Sequence, residues 1–89
     1  MGRDAGVIDI LRDTLAVAVP LRIQELQGWT WDERASQARW AAQHFRHADA
    51  MMYEPGSKPG QFVHLVDILA VLALNHEGGV EFAGMRFQP

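Results

Sequence analysis

The sequence predicts a mainly α-helical protein: a small three- to four-helix bundle with a short C-terminal extended segment or β-hairpin. Three observations carry this reading. Apolar residues recur at helical spacing in long stretches, a complete helix-start signal stands at TWDE (residues 30–33), and Pro and Gly cluster between the stretches. At 89 residues the chain is expected to be one domain, 1–89. Hydrophobic residues make up 48% and charged residues 21%, a globular balance and not that of a disordered chain.

The first helix is expected over residues 6–19, in GVIDILRDTLAVAV. Val7, Leu11, Leu15 and Ala18 share one face, widened by Ile8, Ile10 and Val17, with Asp4 as its N-cap. Pro20 would remove a backbone hydrogen bond and clash with the preceding turn inside a helix. A break near Val19 is therefore expected, then a short helix over 21–27 stopped by Gly28. In TWDE, Thr30 and Glu33 have the types and spacing of a capping box, and Asp32 and Glu33 suit the positive end of the helix dipole. No Gly or Pro follows until Pro55, so this helix is expected to run over 31–53. EPGSKPG (residues 54–60) is a loop. The apolar run FVHLVDILAVLAL lies within a helix expected over 61–75, ended by a left-handed cap at Gly78 or Gly79. It is shorter than the roughly 20 residues a membrane span needs, so it reads as a core helix. The tail VEFAGMRFQP alternates around Gly84.

All three tryptophans lie in GWTWDERASQARW. At about 100° per residue, Trp31 aligns with Ala35, Ala38, Ala42, Phe45 and Met52, which reads as the core face. Trp40 falls about 180° away, beside His44, His47 and Met51. Either a loop, the short helix after Pro20 or the C-terminal tail covers Trp40, or Trp, Met and His on the face opposite the core make an exposed candidate partner-binding patch of Trp40, His44, His47 and Met51.

The remaining chemistry is thin. There is no cysteine, so disulfides and thiolate metal sites are excluded, and a cytoplasmic location is expected. The N-terminus lacks the basic start and long apolar centre of a signal peptide. The net charge of −3 gives no basic field for nucleic acid or an anionic membrane. The two serines, Ser36 and Ser57, stand in no nucleophile context, and no phosphate loop is present, so no enzyme, cofactor or small-molecule ligand is implied. His44 and His47 project from one side of their helix, and a hairpin of helices would bring His64 and Asp67 near. His47 lies opposite the alanine stripe, however, and no metal is assigned. Asp67 interrupts the apolar run, either on a solvent edge or as a buried carboxylate paired with an Arg.

These features point to a non-enzymatic module that binds another protein or itself. The alternative is a helix-turn-helix-like DNA-binding regulator, in which PLRIQELQG would lead into a recognition helix carrying Arg34, Gln37 and Arg39. Asp32 and Glu33 at the start of that helix would repel phosphate. LRDTLAVAVPLRIQEL and LALNHEGGVEFAGMRF together resemble short uncharacterised proteins of actinobacteria and their phages. Members finish the last segment with a His-Trp-Cys-like tail, where this chain reads Met85, Arg86, Phe87. The resemblance implies no activity; it implies a phage or mobile-element accessory protein in the cytoplasm, a setting in which the partner expected for a binding module is a host or defence component.

Overall fold

A computed structural model describes residues 3–53 and 59–89. Its elements in chain order are α1 (Arg3–Leu26), α2 (Trp31–Phe45), α3 (Ala48–Tyr53), α4 (Pro59–Asn75), β1 (Val80–Phe82) and β2 (Met85–Phe87). The predicted class holds: a mainly helical fold closed by a C-terminal β-hairpin, with principal extents of 44 × 20 × 20 Å. No helix among the described residues is long and apolar enough to cross a membrane.

The most apolar segment forms the centre. Six consecutive residues of α4, Ile68 to Ala73, are buried, as is Leu65. A helix buried all round needs partners on every side. Leu15, Val19, Ile23 and Leu26 cover it from α1, Ala41 from α2, Ala48 and Met52 from α3, and Phe82 and Phe87 from the hairpin. Both α1 and α2 pack chiefly on α4.

Three expected boundaries are corrected. First, α1 does not break at Pro20; one helix runs from Arg3 to Leu26 with Pro20 inside it. The reason lies in the core stripe. Leu15, Val19, Ile23 and Leu26 follow at four, four and three residues, one face of an unbroken helix, and Pro20 stands exposed on another side. The carbonyl that Pro20 leaves without a partner belongs to Ala16, also exposed, where water can satisfy it. Asp4 accordingly falls inside the helix and not at its cap.

Second, the helix expected over 31–53 is two helices. The chain tightens after Phe45: the His47 amide donates to the His44 carbonyl, three residues back, at 3.0 Å. The Met51 amide then donates to the His47 carbonyl at 3.0 Å and helical spacing resumes. The offset leaves Ala48 and Met52 in the core. Third, α4 is described from Pro59, two residues before the expected start, with proline at a helix beginning where a missing N–H costs little. The rest of the expected loop, residues 54–58, lies outside the described residues.

The start of α2 follows its sequence signal. The Glu33 amide donates to Thr30 Oγ1 at 3.2 Å, and the Thr30 amide to Glu33 Oε2 at 2.8 Å. After α4, Gly79 turns the chain at φ 77°, and a Cβ there would sit 2.3 Å from the Phe87 carbonyl oxygen. Both the left-handed backbone and the close approach require glycine. β1 and β2 pair antiparallel through a two-residue turn, Ala83 (φ 53°) and Gly84 (φ 79°), with Val80 opposite Phe87 and Phe82 opposite Met85. Phe82 and Phe87 point into the core, while Glu81 and Arg86 pair at 3.1 Å on the outer face.

Candidate functional site

α2 is rotated relative to the sequence expectation. Its fully buried residue is Ala41, and Trp31 is 67% exposed. Taking Ala41 as the centre, Arg34, Ala38 and Phe45 fall within about 60° of it, while Trp31 and Trp40 flank it at about 80° and 100° on opposite sides. Trp31 occupies the first turn, where its ring packs under the Arg34 guanidinium at 5.8 Å and not into the core. Trp29 takes the inward position. It is half-buried against the core, with the Arg22 guanidinium 5.6 Å from its ring centre.

Trp40 is half-buried and also packs against the core. Its ring centre lies 5.0 Å from that of His44, one turn on, and 5.9 Å from that of His64 on α4. His44 Nδ1 bonds the Trp40 carbonyl at 2.9 Å, which fixes the imidazole beside the indole. Met51 is half-buried against the core, and His47 is exposed. Of the four candidate partner-binding residues, Trp40, His44 and Met51 are thus largely engaged within the fold, and His47 faces solvent.

Trp29 and Trp40 wall an open cleft of about 440 Å³ between α1, α2 and α4, with Gln37, His64 and the Arg22–Asp67 pair along it. Arg22 Nε donates to Asp67 Oδ1 at 2.7 Å, with both side chains about one-third exposed, and Arg22 also reaches Glu25 at 3.3 Å. This explains an aspartate within the most apolar helix. It sits on the polar edge of α4 and is tied by a charge-assisted bond to α1. His47 and His64 do not join His44 and Asp67 in a ligand set: no group of three or more His, Asp or Glu among the described residues is placed to hold a metal.

The largest departure from expectation is on α1. Ile10 and Val17, read from sequence as widening the core face, are 65% and 64% exposed, and Leu21 is 55% exposed. The three stand in one line on the side of α1 away from α4. They border a shallow groove of about 500 Å³ with Asp13, Thr14 and Ala18. The signal was present in the sequence. Ile10, Thr14, Val17 and Leu21 are spaced four, three and four, a second helical stripe that is visible only if the helix continues through Pro20.

The chain matches no protein-family model, no curated protein and no solved structure.

Proposed function

We propose that this chain is a non-enzymatic protein-interaction module whose contact surface is the outer face of α1. The observation that carries the reading is the line of Ile10, Val17 and Leu21, each more than half exposed, on one side of a single helix. Scattered exposed apolar residues need no explanation; three in register along a groove mark a surface suited to burial by a partner. In the Trp40 cleft Arg22 holds Asp67 and the His64 ring lies against that of Trp40, while one turn beyond it His44 holds a backbone carbonyl. They support the fold and leave the apolar face as the stronger candidate for binding. The setting proposed with this reading is a cytoplasmic accessory protein of a phage or mobile element, supported by the sequence resemblance.

Site-specific photo-crosslinking in the native host tests the reading. A photoreactive residue replacing Val17 is expected to give discrete protein adducts, while the same residue replacing exposed Gln43 on α2 gives none. Absence of any protein adduct at Val17, or equal labelling at both positions, would show that the α1 face is not a contact surface.

A further inference from the structure

We infer that the occupant of the α1 face is a second copy of this chain, packed antiparallel, stripe against stripe. The inference rests on the interaction reading above and names its partner. Spacing is the first argument. Ile10, Thr14, Val17 and Leu21 alternate four and three residues apart, the repeat of a two-helix seam, and such a seam packs best on a helix with the same repeat. A second copy supplies that repeat by symmetry. With the two-fold axis between Thr14 and Val17, Ile10 lies against Leu21 of the second copy and Thr14 against its Val17. Each copy then covers all three exposed apolar side chains of the other.

Charge is the second argument. The chain carries a net −3, yet among the described residues lining the groove Asp13 alone is charged. A nearly uncharged apolar stripe calls for another of the same kind and not for an oppositely charged partner. Antiparallel packing brings like flank to like flank, which sets Asp13 beside the uncharged Pro20 of the second copy and avoids an Asp–Asp contact. It also runs the two helix dipoles head to tail.

Size fixes the kind of dimer. From Ile10 to Leu21 the seam is about 17 Å long. It covers on the order of 400–500 Å² on each copy, against about 800 Å² per partner in a standard interface. The dimer is therefore reversible and concentration-dependent, not obligate.

Sedimentation of the purified chain alone, from about 5 to about 500 µM to span the range of weak association, provides the test. A monomer–dimer equilibrium is expected. Val17→Lys, which sets like charges into the seam, is expected to weaken it at least about tenfold, and Val17→Ala by a smaller factor in the same direction. Both variants should melt like the parent at low concentration, because Val17 is exposed. The absence of cysteine allows the register to be read directly. A mixture of Ile10→Cys and Leu21→Cys chains should form a short thiol cross-link that neither chain forms alone. A monomer at every concentration, or a dimer that Val17→Lys leaves intact, would overturn the inference. So would Ile10→Cys chains that link to themselves as readily as the mixture does. A purified monomer whose Val17 position still labels another protein in cells would leave the interaction reading standing and remove the second copy as its partner.

Discussion

Trp31 and Trp40 show how far single residues can be read from a chain of this kind. The sequence marks both as large apolar groups on one helix, on opposite faces, and that opposition is correct. Which of them turns inward is decided by helix rotation, and the alanines that should report it are ambiguous. Ala41, Ala38, Ala42 and Ala35 spread over about 120° of α2, so more than one rotation within that arc presents a small-residue face to α4. The structure chooses Ala41, which leaves Trp31 in solvent and draws Trp40 against the core. Trp31→Ala is therefore expected to change unfolding free energy by less than about 1 kcal/mol. Trp40→Ala should lose about 1–3 kcal/mol, less than a fully enclosed aromatic because the ring is only half-buried. Equal effects in urea denaturation would contradict this rotation. Residue type announced a left-handed turn at Gly78 or Gly79, and the structure places it at Gly79. Its left-handed backbone and the Phe87 carbonyl 2.3 Å from where a Cβ would stand leave no room for a side chain. Gly79→Ala is expected to cost about 2–4 kcal/mol and to loosen the hairpin, seen as lost amide protection across Val80 to Phe87.

At the scale of the element, the capping box at Thr30 and the Gly79 turn were legible because each is complete within a few residues. Pro20 misled because a local rule, that proline ends a helix, competes with a longer pattern. Leu15, Val19, Ile23 and Leu26 form a stripe that only an unbroken α1 can bury, and burying it on α4 outweighs one missing hydrogen bond on the solvent side. A break at Pro20 also hides the second stripe, because it puts Leu21 on a different helix from Ile10 and Val17. A proline held in place against its own preference stores a measurable penalty. Pro20→Ala restores an N–H for the Ala16 carbonyl and removes the ring clash, so it is expected to raise stability by about 1–3 kcal/mol. A loss of stability would mean that Pro20 shapes α1 in a way the core depends on.

For the whole molecule, the Trp29–Trp40 cleft was not legible because its parts come from three helices; Arg22 and Asp67 lie 45 residues apart. The central place of α4 was legible, since an apolar run of that length in so short a chain has nowhere else to go. Its consequence is a fold with one hub. α1, α2, α3 and the hairpin each contribute buried side chains to α4, and no second core exists among the described residues to hold any of them independently. Loss of packing at the hub should then be felt by all of them together. Leu69 is fully buried within the run from Ile68 to Ala73, with little exposed surface nearby to collapse inward. Leu69→Ala is expected to cost about 3–5 kcal/mol, the range for a core leucine that leaves a cavity. A domain of this size has about 4–13 kcal/mol in total, so the variant should stand close to its unfolding transition at room temperature. The decisive measurement is amide hydrogen exchange read separately in α1, α2 and the hairpin. A single hub predicts that protection falls by a similar factor in all three, because each loses its slowest-exchanging amides through the same global opening. If α1 kept its protection while α2 and the hairpin lost theirs, α1 would be held by contacts other than α4. A helix stabilised from its outer side, by the stripe of Ile10, Val17 and Leu21 against a second copy, would behave in that way at high concentration and lose the protection on dilution.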